Sequence, residues 1–212
     1  MHLVDAQKSE TGNWLIYISQ AKWNNKLIFW NEFQLRNYRP ISPDLQQLLL
    51  RYGLGIQHNP EQQSLLGYAY IYSGNYTNQN EKKYIHEHRI FQQFIHLFRT
   101  SNLFFQNRFR LEERFMVNSP FLLRFRYFTY LFFPLNGSVI QNGTIYFSCY
   151  NEIFLQNDKN IFDRNRFYLA LGYYFNKNLR LDVGIMDQMV GLNVGRKQLQ
   201  FALYHNYSLT KP

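Results

Sequence analysis

Strict alternation between Leu103 and Tyr130 limits what this chain can fold into. Gln106, Arg108, Arg110, Glu112 and Arg114 take every second position, and Phe105, Phe109, Leu111 and Phe115 fall between them. The next segment repeats the arrangement, with Arg124 and Arg126 interleaved with Phe125 and Tyr127. A period of two puts charges on one face of a strand and large apolar groups on the other. The pattern recurs through most of the chain. One sheet closed on itself, polar inside and apolar outside, accounts for it, and this is the pattern of an outer-membrane barrel.

Composition agrees. Aromatic residues make up 19% of 212 residues, mostly Phe and Tyr. They suit strand surfaces and, for Tyr, membrane interfaces. Mean hydropathy is −0.41 although 46% of residues are hydrophobic. No run approaches the roughly 18 apolar residues of a spanning helix. Alternation lets a barrel carry apolar surface without such a run. The net charge of +9 could signal nucleic-acid binding. However, the Arg residues alternate with Phe and Leu instead of clustering with Lys and Gly, so a lumen is the better reading and no nucleic-acid partner is expected. The single cysteine, Cys149, excludes an internal disulfide and reads as a small apolar strand residue.

In chain order, strands are expected at about 14–22, 27–38, 48–58, 65–73, 84–99, 103–115, 122–130, 144–156, 162–175, 179–188 and 198–209. Asn24-Asn25 and Asn176–Asn178 read as tight turns, and Pro40 and Pro43 interrupt the sheet. Gly53 and Gly55 fall on the inner face, where they make room for long neighbours or let the sheet bend. Gly74–Lys83 and Asn136–Gly143 read as exposed loops. Residues 1–12 are read as a residual signal or periplasmic segment, with Val4-x-Ala6 resembling the end of a cleavage site. Residues 13–212 are read as the barrel. The segments number eleven, but single-chain bacterial barrels have even counts. The expectation is therefore an all-β, closed antiparallel transmembrane β-barrel of twelve strands, with ten as the alternative.

Several stretches resemble a known family. They are Glu87-x-Arg89-x-x-Gln92-Gln93, Arg108-x-Arg110-x-Glu112-x-Arg114-Phe115, Arg124-x-Arg126, Asn151-Glu152-Ile-Phe, and Phe162-Asp-Arg-Asn-Arg166 followed by Leu171-Gly172-Tyr173. Together they look like the outer-membrane barrel family called domain of unknown function 2490, over roughly Trp14 to the C-terminus. The resemblance implies a barrel in the outer membrane of a Gram-negative envelope. It implies no activity and transfers no catalytic residue.

The candidate site is the charged ladder that alternation turns inward: Glu32, Arg36, Arg51, Glu87, Arg89, Arg108, Arg110, Glu112, Arg114, Arg124, Arg126, Glu152, Arg164, Arg166, Arg180 and Asp182. Arg and Glu on neighbouring strands can pair and fill a narrow lumen. A ring of Arg can also favour anions in a pore. His86 and His88 share a strand face and could contribute to a zinc site only with a third ligand. Ser148 with Glu152 and a histidine can be drawn as a hydrolase, but no spacing supports it. No Gly-rich phosphate loop is present. The expected roles are a narrow anion-favouring channel or a structural or accessory subunit of an envelope complex, with a lipid-modifying hydrolase as the alternative. No enzyme activity, metal or cofactor is expected. The expected partners are outer-membrane lipid or lipopolysaccharide and other envelope proteins.

Overall fold

The computed structural model describes residues 11–24, 26–40, 43–77, 79, 81–117, 119–191 and 194–209. Nearly all of the segment assigned to residues 1–12, including the cleavage-like Val4-x-Ala6, lies outside the described residues, as does Thr210-Lys211-Pro212. Among the described residues there is no helix. These residues form eleven strands: β1 (Gly12–Trp23), β2 (Leu27–Asn37), β3 (Leu45–Asn59), β4 (Gln62–Tyr76), β5 (Lys82–Thr100), β6 (Leu103–Met116), β7 (Leu122–Pro134), β8 (Ile145–Gln156), β9 (Phe162–Asn176), β10 (Leu179–Val190) and β11 (Val194–Ser208).

Consecutive strands pair antiparallel, and β1 closes the barrel by pairing parallel with β11, from Gly12 opposite Gln198 to Lys22 opposite Ser208. This corrects the expectation of twelve strands, of ten as the alternative, and of a wholly antiparallel sheet. Among the described residues, each of the eleven apolar/polar segments is one strand. An odd count makes the first and last strands run the same way, so the seam has to be parallel. Its slanted ladder satisfies the edge groups as an antiparallel one would.

The connections follow from local chemistry. At one rim, β1–β2, β3–β4, β5–β6 and β9–β10 are joined by two or three residues. Asn24 (φ 51°) and Ser101 (φ 50°) supply the left-handed backbone these turns need. The longer 135–144 connection at this rim is tied by Asn136, whose side chain bonds Gly143 O and Ile145 N. At the opposite rim strand enters both ends of the stretch expected as a loop, Gly74–Lys83: Gly74, Asn75 and Tyr76 pair with Tyr84, Lys83 and Lys82. Asp44, beyond the end of β2, accepts hydrogen bonds from Tyr76 and pairs with Lys82, which fastens this edge.

The alternation sorts side chains as the period requires. Leu54 (63% exposed), Ile185 (61%), Leu66, Leu171 and Phe167 point outward. The interior holds two apolar clusters of side chains. One comprises Ile28, Trp30, Leu49, Leu65, Ala69, Ile71 and Phe91, and the other is built around Trp14, Tyr168, Ala170 and Met186. Gly67 and Gly172 face inward because large rings lie over them. A Cβ at Gly67 would overlap Phe91, and one at Gly172 would overlap Tyr146.

Candidate functional site: an ion-paired interior and a one-ended cavity

The register of β5 to β9 builds the site. Arg89 lies opposite Arg114, Gln93 opposite Arg110, Arg110 opposite Arg126, Glu112 opposite Arg124, and Glu152 opposite Arg166. Adjacent arginines would repel, so the carboxylates are shared among them. Glu112, with no exposed surface, receives Arg124 and Arg126 at 2.6 Å each and Arg89 at 3.3 Å. Glu152 receives Arg126 at 2.6 Å, Arg108 at 2.7 Å and Arg166 at 3.4 Å. Glu87 holds Arg89 and Arg114, and Glu32 holds Arg51 at 2.6 Å. The planar guanidinium fork suits it to bridging two carboxylates in this way.

The remaining members are held differently. Arg36 bonds Gln34 and Gln47 and lies over Trp14 at 3.6 Å. Arg110, 1% exposed, bonds Gln93 and stacks on Phe91. Its Nη1 has no hydrogen-bond partner and is 3.7 Å from Glu112. Arg180 donates to Tyr130 and Tyr146 at 3.0 Å and lies over Tyr204 at 3.9 Å. Asp182 accepts from Tyr130, Tyr146 and Ser148. Arg164 pairs with Asp163. All sixteen ladder residues thus sit on the inner face.

The charged ladder leaves out two features. Asp163 has the outward parity, but the register shift between Phe154 and Leu155 leaves it as an extra residue opposite the partner strand, and it reaches Arg124 at 3.2 Å. A bulge of this kind has no signature in the alternation pattern. The inward aromatics were missed as well. Phe154 underlies Arg126 at 4.5 Å and Arg166 at 4.6 Å, and Phe128 underlies Arg108 at 4.3 Å. Parity could have found them, since Phe128 shares the phase of Arg124 and Arg126, and Phe154 that of Glu152.

The described histidines fall on the outer phase. His86 and His88 bond Tyr70 and Tyr68 at 2.7 and 2.6 Å, so their shared face is the exterior. Ser148 is fully buried, and its hydroxyl contacts Asp182 at 3.4 Å. The Ser148–Glu152–histidine scheme is therefore not assembled, because its histidine would be on the far side of the sheet.

The interior is not filled evenly. A cavity of about 1090 Å³ opens at the rim of short turns, beside Lys22, Asn24, Pro60 and Lys177. Its inner end is lined by Trp14, Glu32, Gln34, Arg36, Arg51, Arg126, Glu152 and Arg166. Beyond this floor the ladder continues through Glu112, Arg124, Arg89 and Glu87, all buried and none lining the cavity. The cavity presents eight cationic side chains against two carboxylates, Glu32 and Glu152.

A search of curated proteins found no match to the chain. The family model described as protein of unknown function (DUF2490) matches residues 11–199, from the start of β1 into β11. With most of the barrel inside that match, the chain belongs to the DUF2490 family of proteins of unknown function.

Proposed function

We propose that the protein is an outer-membrane β-barrel that stands closed at rest, a structural or accessory component of the bacterial envelope and not a steadily open pore. The carrying observation is the division of side chains. Exposed aliphatic and aromatic residues surround the barrel on all its strands, and the charges pair within it. Such an exterior in water would be an apolar patch far beyond what soluble monomers expose, whereas in a bilayer it matches the solvent. The closed state is supported by the cavity floor, where the network of Glu112 and Glu152 occupies the lumen.

The test is made on the purified protein. It is expected to enter the detergent phase on phase separation, to migrate differently on gels before and after heating, and to give no steady conductance in planar bilayers. Recovery in the aqueous phase overturns the membrane reading. A second reading, an anion-favouring channel, draws support from the excess of guanidinium groups. It predicts steady anion-selective current, reversed in selectivity when Arg108, Arg110 and Arg126 are changed to Glu.

A further inference from the structure

We infer that the one-ended cavity is a binding site for a single-chain amphiphile with an anionic head group, a carboxylate or a phosphate ester, entering from the rim of short turns. The inference deepens the barrel reading and rests on it only for the source of the ligand.

Two features of the cavity lining point to this chemistry. One is an apolar wall where a water-filled lumen calls for polar side chains. Ile16 and Ile18 of β1, Trp30 of β2, and Ile95 and Leu97 of β5 all face the cavity. In the register of the barrel Ile18 and Trp30 are on adjoining strands, and Ile18 packs on the cluster that contains Trp30. The other is the cationic wall. Arg108 and Arg180 are joined through aromatic rings of β7: Arg108 lies over Phe128, Phe128 stacks on Tyr130 with centroids 6.2 Å apart, and Tyr130 accepts from Arg180. Arg108 gives one terminal nitrogen to Glu152.

Each guanidinium offers five donors. The six arginines and two lysines of the lining outnumber Glu32 and Glu152, so an anion entering the cavity meets cationic groups already held in place by stacked rings at Arg108 and Arg180. The size fits: ligand cavities run to roughly 300–1,000 Å³, and this one is about 1090 Å³. A head group at Arg108 and Arg180 leaves the chain to lie along Ile16, Ile18, Trp30, Ile95 and Leu97. A free inorganic anion would satisfy the arginines but not cover that wall.

Tryptophan fluorescence reads the site directly, because Trp14 and Trp30 line it and Trp23 does not. Trp23→Phe protein in amphipol is titrated with ω-bromododecanoate, whose bromine quenches nearby indoles. The expected result is saturable quenching that the matching bromoalkyl trimethylammonium does not produce. Inorganic phosphate should compete only weakly. Arg108→Gln and Arg180→Gln should each weaken binding by about tenfold, the scale of one lost charge-assisted bond. Ile18→Asn should weaken the bromo-acid without changing phosphate competition. The proposal is overturned if the cationic probe quenches equally, if phosphate displaces the bromo-acid at comparable concentration, or if quenching does not saturate in protein that keeps its heat-sensitive gel mobility. A protein that fails detergent partitioning but passes this titration loses the membrane source and keeps the site.

Discussion

Glu112 takes hydrogen bonds from Arg89, Arg124 and Arg126, and Arg110 Nη1 lies just beyond hydrogen-bond range. Replacing its charge with an isosteric amide leaves those guanidinium groups facing one another with little water between them. Removing one partner of a buried ionic network costs about 3–5 kcal/mol. Glu112→Gln is therefore expected to lower the temperature at which the folded gel band is lost, far more than Glu113→Gln, whose side chain is on the outer phase and bonds Gln92. Equal effects of the two would deny the network its structural weight. Asp44 gives a second prediction at this scale. Burial alone would raise its carboxyl, but hydrogen bonds from Lys82 and Tyr76 outweigh that and hold it below the usual aspartate range. A depressed acid stabilises the fold above its ordinary value, about 3.9, and loses that contribution as pH falls through the depressed one. Hydrogen-exchange protection of the Tyr38 amide, which bonds Asp44 O at 2.9 Å, should hold from neutral pH to about pH 4 and then fall. In Asp44→Asn it should be lower at neutral pH and indifferent to acid.

At the scale of the strand, the parallel β1–β11 seam is the most exacting claim. It sets Leu15 opposite Phe201, both outside, on strands that lie about 4.8 Å apart. In a Cys149→Ser background, the pair Leu15→Cys and Phe201→Cys should oxidise to an intramolecular disulfide that shifts gel mobility. Leu15→Cys with Tyr207→Cys, six residues along β11, should not. Cross-linking of the second pair alone would require another closure. The strands themselves were legible because a period of two needs no tertiary information: Arg108 to Phe115 and Arg164 to Phe175 declare their faces one residue at a time. Closure was not legible. Nothing in Gly12–Trp23 or Val194–Ser208 distinguishes a strand that pairs parallel from one that pairs antiparallel, and the parity rule filled the gap wrongly. Asp163 was hidden for a related reason: it is an extra residue between Arg164, opposite Phe154, and Phe162, opposite Leu155, so residues on its two sides no longer share one count of faces.

For the whole molecule, the inner face departs from a simple division into greasy outside and charged inside. Trp14, Phe91, Phe128 and Phe154 face inward as platforms for arginine, so charge and ring are stacked together and not separated by the sheet. Such stacking holds a guanidinium in place while leaving its edges available. It lets one half of the barrel be filled solidly and the other remain a cup. The candidate ladder was readable as a set of residues, but which of them close the floor and which stand free depended on strand stagger, which the sequence does not display.

The odd number of strands also bears on sidedness. Gly12 stands near the rim of longer connections and Ser208 at the rim of short turns. If the barrel spans the outer membrane as proposed, a label grafted ahead of Gly12 and another after Ser208 would therefore be reached by impermeant reagents from opposite compartments, whereas an even-numbered barrel presents both its ends to the same one.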